Sequence, residues 1–135
     1  MIEVPAANVI TMPLGIPGFA SAKEFVLIDH KPGSMFRWLQ CLDDPDLAFV
    51  VIDPLVADAD YPVDAVRKHL AFLDLEAEED VVVVAICTIP PRPNQPTVNL
   101  LAPIGIGVQC RRGAQVVLHE TRYDARMPFL GTKAA

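Results

Sequence analysis

The run Val81-Val82-Val83-Val84-Ala85-Ile86-Cys87-Thr88 restricts the fold of this chain more than any other stretch. It has four valines in a row and acidic residues immediately before it. Its shortness and β-branching favour a buried strand over a buried helix. A β-rich domain follows from this reading, and a helix in its place would sink it.

The rest of the chain extends the pattern. Residues 48–52 (Ala-Phe-Val-Val-Ile) are wholly apolar, lie between Asp46 and Asp53-Pro54, and read as a second buried strand. Residues 8–12 form a short β-prone run, and 24–28 and 35–42 read as strands separated by Pro32, Gly33 and Ser34. Ile104, Ile106, Val108 and Cys110 alternate with Gly105, Gly107 and Gln109, giving one apolar and one flat face. Glycines on a strand face suggest close approach of another backbone or a sharp bend. Arg111-Arg112-Gly113 reads as a hairpin turn into a strand over 115–119. One segment is helical in pattern: Asp64 as cap, then Val66, Leu70 and Leu73 on one stripe. Roughly seven or eight short strands point to a mainly β chain, a small antiparallel barrel-like single domain with one or two short helices. We expect that domain over residues 1–130, with 131–135 a frayed tail. The proline-rich 90–96 stretch is expected to be an extended, exposed loop.

Composition excludes several classes. Of the 135 residues, 52% are hydrophobic and 21% charged, so a disordered chain is ruled out. No apolar run approaches the roughly 20 residues of a membrane span. Met1 to Asn8 shows no basic start followed by an apolar stretch, so the expected location is the cytoplasm. Cys41, Cys87 and Cys110 are odd in number and read as buried reduced thiols. With no C-x-x-C spacing and scattered histidines, neither a metal nor another cofactor is expected.

The net charge of −6 is unevenly placed: from Asp43 to Asp80 there are 12 acidic residues against only Arg67 and Lys68. Such acidity opposes direct nucleic-acid binding and suits docking onto a basic protein. Within it, Glu76, Glu78, Glu79 and Asp80 lack an EF-hand's ligand spacing. They read instead as an exposed steering face.

Catalytic groups are sparse. Ser21 and Ser34 are the only serines, and neither lies in a nucleophile elbow. Asp29-His30 and His119-Glu120 are adjacent pairs, which point to opposite faces on a strand. The Gly15-Ile16-Pro17-Gly18-Phe19 turn has no lysine for phosphate. What it offers is apolar side chains stiffened by proline: a pre-organised knob for a partner, or a lid on the core. Thr97 to Pro103 raises the same question, with Asn99 inside an apolar run either bonding a nearby turn or facing a ligand.

These stretches, in order, carry a family resemblance: Leu14 to Phe19, Leu47 to Pro54, Glu79-Asp80-Val81 leading to Thr88, Thr97 to Ile104, and Tyr123 through Met127-Pro128-Phe129. The chain resembles the flagellar assembly factor FliW over nearly its whole length. Asp53 stands where that family commonly has Asn. The resemblance implies a β-barrel-like domain with no catalytic function and two protein partners. One is flagellin. The other is the translational regulator CsrA, whose repression of flagellin translation FliW relieves. Partner contacts are expected at Ile16, Pro17 and Phe19, with Asn99 and Pro103 contributing or supporting. Two alternatives stand beside it: a small-ligand-binding β-barrel without a flagellar role, and a hydrolase or isomerase using His30 or His119.

Overall fold

In the computed structural model the described residues are 8–75, 79–90, 95–119 and 122–128. The run that restricts the fold is indeed a strand. It is β5 in the order β1 (Ile10–Thr11), β2 (Glu24–Asp29), β3 (Arg37–Cys41), β4 (Ala48–Ile52), α1 (Pro54–Ala57), α2 (Val63–Lys68), β5 (Val81–Thr88), β6 (Thr97–Val98), β7 (Ile104–Gly107), β8 (Gly113–Gln115) and β9 (Met127–Pro128). A 3-10 turn, Ala71–Leu73, follows α2.

All paired strands are antiparallel, and β1 to β5 follow one another across the sheet. β5 is the hub. Cys87 faces Val50 of β4 on one side and Val98 of β6 on the other, while Val81–Val84 pair with β7. β6 then pairs with β9, and β7 with β8. The sheet curls in a barrel-like way without closing. A lone parallel bridge joins Thr11 to Arg112, where the Thr11 N–H donates to the Arg111 carbonyl at 2.8 Å.

Alternation along β5 feeds two cores, because successive side chains point to opposite faces. Val84 joins Ile10, Met12, Phe25, Leu39, Ile104 and Ile106 inside the curl. Val83, Ala85 and Cys87 join the helical side with Val66, Leu70 and Leu73. The flat face of β7 is where α2 sits: a Cβ on Gly105 would lie 2.6 Å from Leu70 Cδ1 and 2.9 Å from Val66 Cγ1. Only a glycine lets the helix pack this closely.

The helix itself differs from expectation. Its Val66, Leu70 and Leu73 stripe is buried as read, but Pro62 holds the cap position and makes no side-chain capping bond. Asp64 instead lies in the first turn, where a carboxylate favours the amide end of a helix. After Lys68 the chain tightens, His69 and Leu70 donating to carbonyls three residues back, and continues as the 3-10 turn. Asp53 caps α1 through Leu55 N–H at 2.9 Å, a bond an asparagine oxygen could equally accept.

The reversal between β7 and β8 also comes earlier than read. It spans residues 108–110, and Arg111 and Arg112 follow it, Arg111 at φ +57°. Val116 and Leu118 lie beyond β8 and bond to the carbonyls of Pro103 and Leu101. Residues 91–94 of the proline-rich loop, and 129–135 including the expected tail, lie outside the described residues. No helix among the described residues is long and apolar enough to cross a membrane.

Candidate functional site

The 16–19 turn is closed by its own backbone. Phe19 N–H donates to the Ile16 carbonyl at 2.6 Å, with Pro17 and Gly18 at the two central positions. Gly18 takes φ +87°, the left-handed value that the third position of a type II turn needs. Gly15, at φ +66°, lets the chain pass so closely that a Cβ there would lie 2.5 Å from the Ala20 carbonyl oxygen. The turn is therefore stiff before any partner arrives.

Its side chains divide. Ile16 is 2% exposed and belongs to the inner core, so it anchors the turn from below and is no surface contact. Pro17 is exposed, and Phe19 is 42% exposed. Phe19 meets Phe49 edge-on at 5.5 Å, and Phe49 meets the fully buried Phe25 at 6.4 Å. Knob and lid are combined: the ring leans on the core and still presents part of its surface.

Beside Phe19 runs a groove of about 250 Å³ that the sequence did not suggest, lined by Phe19, Ala22, Cys41 and Leu47 with Asp43 and Asp44. The turn between β3 and β4 forms one wall and is rigid. Gln40 Nε2 donates to the carbonyls of Cys41, Pro45 and Leu47 at 3.0, 3.2 and 3.1 Å. Asp43 Oδ2 accepts from the N–H groups of Lys23 and Glu24 at 3.0 and 3.1 Å, and Asp44 Oδ1 from that of Asp46 at 3.0 Å. No local pattern marks these residues, because strand pairing brings 43–47 beside 18–22.

Asn99 and Pro103 are not brought to this place. They bound a bulge between β6 and β7 on the helical side, with Leu100 in that core. Asn99 Oδ1 accepts from Ala102 N–H at 2.9 Å, and Pro103 is buried with its carbonyl taken by Val116 N–H. The neighbouring Tyr61 hydroxyl donates to the Leu100 carbonyl at 2.5 Å and stacks edge-on to Tyr123 at 4.9 Å. Tyr123 in turn donates to Asp58 Oδ2 at 2.7 Å, which with the Asp60 amide holds the Asp58 carboxyl below its usual range. Burial pushes the Tyr61 hydroxyl up and the Cys87 thiol to about 11. Cys110 is only partly buried, unlike Cys41 and Cys87 and contrary to the reading of all three as buried. It too is raised by burial, so neither thiol is primed as a nucleophile.

The acidic run is corrected at one residue. Glu79 is 1% exposed, so it cannot belong to a solvated face. Its Oε2 accepts from the N–H groups of Gln109 and Cys110 at 2.7 and 2.6 Å, which compensates the carboxylate for lost water. Arg67 donates to its backbone carbonyl. Asp80 is exposed, while Glu76 and Glu78 lie outside the described residues. Among the described residues no group of three His, Cys, Asp or Glu is placed to hold a metal ion.

Known proteins share this fold. The family model described as "FliW protein" matches residues 1–129. A flagellar assembly factor FliW of Natranaerobius thermophilus is 36% identical over 137 residues, spanning 98% of this chain and 91% of that protein. One of Caldicellulosiruptor saccharolyticus is 39% identical over 125 residues, spanning 93% and 82%. A crystal structure of a flagellar assembly factor FliW superposes with a TM-score of 0.84 at 35% identity, covering 94% of this chain and 89% of that one. With a family match over almost its full length and the same fold in a crystal structure, this chain belongs to the FliW family of flagellar assembly factors.

Proposed function

We propose that this flagellar assembly factor works in the cytoplasm by binding two proteins in turn. It binds the translational regulator CsrA and so relieves repression of flagellin translation, and it binds flagellin as a chaperone-like partner. Free flagellin then competes for the factor, and translation follows secretion and assembly. No enzymatic step is part of this role. The observation that supports it most is the 16–19 turn, where Pro17 and a half-exposed Phe19 are held rigid over the core. Rigid aromatic anchors of this kind bind at low ordering cost. Ile16 holds the turn from within, while Asn99 and Pro103 brace the separate β6–β7 segment on the helical side.

For CsrA release to follow from binding, the factor must prefer the form of CsrA that cannot hold RNA, since equal affinity for both forms shifts nothing. The test uses purified chain, CsrA, flagellin and flagellin leader RNA. Adding the chain is expected to free RNA from CsrA, and adding flagellin to restore the CsrA–RNA complex. Binding to neither protein overturns the proposal.

A further inference from the structure

We infer that the groove between the 16–19 turn and the β3–β4 turn seats an extended segment of a partner protein that sets an aliphatic side chain next to a lysine or arginine. This rests on reading the chain as a protein-binding factor and adds what one surface of it selects.

Size, floor and rim each narrow the occupant. The volume of about 250 Å³ falls below the roughly 300–1,000 Å³ of small-molecule pockets, so a side chain fits better than a metabolite. The lining is mixed: half-exposed Phe19 and partly buried Leu47 give apolar surface over the buried Ala22 and Cys41, beside polar groups that include Ser21. The rim is anionic. Among the described residues the hydrogen bonds of Asp43 and Asp44 come from backbone N–H groups, with no cation paired to either charge. The nearest lysine in sequence, Lys23, sends its Nζ to the Pro13 carbonyl at 2.8 Å. A carboxylate set beside apolar side chains such as Phe19 and Leu47 is matched by a cation beside an aliphatic group, and it repels phosphate or a carboxylate-bearing segment. Two backbone amides already fix Asp43, and three carbonyl contacts from Gln40 fix the turn behind it, so little order is lost on binding.

The test is a titration of isotopically labelled full chain, followed by amide chemical shifts, with three blocked peptides: acetyl-Leu-Arg-Leu-amide, acetyl-Leu-Gln-Leu-amide and acetyl-Leu-Glu-Leu-amide. Saturable shifts at Phe19, Ala20, Asp44 and Leu47 are expected with the arginine peptide. The glutamine peptide should bind about fivefold more weakly, the size of one exposed ion pair, and the glutamate peptide should give no saturation. The variant Asp43→Asn with Asp44→Asn keeps oxygen acceptors for the same backbone bonds, and should bind the arginine and glutamine peptides alike. Should that variant unfold, Asp44→Asn alone is expected to lose part of the same preference. Equal binding of all three peptides, shifts centred elsewhere, or no binding of the arginine peptide each overturn the inference. If the two proposed protein partners bind the wild-type chain and the charge-neutral variant equally, the groove is overturned and the function stands. If the arginine peptide binds while neither protein does, the function falls and the groove stands.

Discussion

Residues 15–19 close their hydrogen bonds among near neighbours, whereas residues 99–103 give theirs to four separate parts of the chain. In the first segment the partners are Met12, Ile16, Phe19 and Ala22. In the second, Asn99 N–H goes to Ile86, the N–H groups of Leu100 and Leu101 to the Asp124 carbonyl, and the carbonyls accept from Tyr61, Leu118, Gln115 and Val116. Both segments are apolar, short and proline-bearing, so their compositions do not tell them apart. Where the backbone polar groups go does. A self-contained turn leaves its outer side free for a partner, while a segment wired to many others is part of the frame.

The comparison can be broken most directly in the frame. Leu100→Ala removes a side chain that is 2% exposed, and should lower stability by about 2–5 kcal/mol in urea unfolding. Affinity per folded molecule for either partner should not change; a loss there would make the bulge an interface after all. Phe19→Ala is the counterpart. About 2 kcal/mol of affinity, near thirtyfold, should go for at least one partner. Its stability cost should be smaller than that of Leu100→Ala, because the ring is only partly covered. A large stability loss with affinity intact would put Phe19 in the frame.

A finer cut comes from Tyr123→Phe, which deletes the hydroxyl bonded to Asp58 and should cost about 1 kcal/mol near neutral pH. Because the Asp58 carboxyl is held below its ordinary value in the folded chain, its stabilisation is full above an unfolded value of about 3.9 and is lost as pH falls through the lowered one. The wild-type chain should therefore lose more stability than Tyr123→Phe on acidification below that value. Equal acid slopes for the two proteins would remove this bond from the frame. The smallest expected effect is electrostatic. The exposed acids, Asp43, Asp44 and Asp80 among them, should speed encounter with CsrA. That rate should fall as salt is raised and the Debye length shortens to about 8 Å at 0.15 M. A salt-independent rate would confine the acids to solubility.

What the sequence made legible was set by local chemistry. β4 and β5 have the bounds read from it, because apolar runs bounded by acids, or after Thr88 by the prolines that follow Ile89, leave strand ends little freedom. The turn was readable from Pro17-Gly18, and the α2 stripe from the spacing of Val66, Leu70 and Leu73. β6 and β9 were not, since two-residue strands carry no period, and Val98 pairs with Met127 from far along the chain. The groove escaped for the same reason: its floor joins Phe19 to Leu47. Glu79 was placed on the surface because an acid in an acidic run resembles its neighbours, and its two amide partners lie 30 and 31 residues away.

Those two bonds bear on the order in which the molecule assembles. A hairpin whose reversal carries its own turn residues can form early and alone. The reversal at 108–110 is pinned by a carboxylate that arrives with the start of β5, together with Val108 N–H on the Asp80 carbonyl. The reversal also closes on itself, Arg111 N–H donating to the Gly107 carbonyl at 3.0 Å and Gly107 N–H to that of Arg112 at 2.9 Å. β7 and β8 can therefore meet first and are locked only when residues 79–81 are in position. Closing that contact first spends the entropy of a loop of about thirty residues. The final form of the β7–β8 reversal thus waits on the start of β5, and a peptide cut to residues 104–115 would lack that clasp.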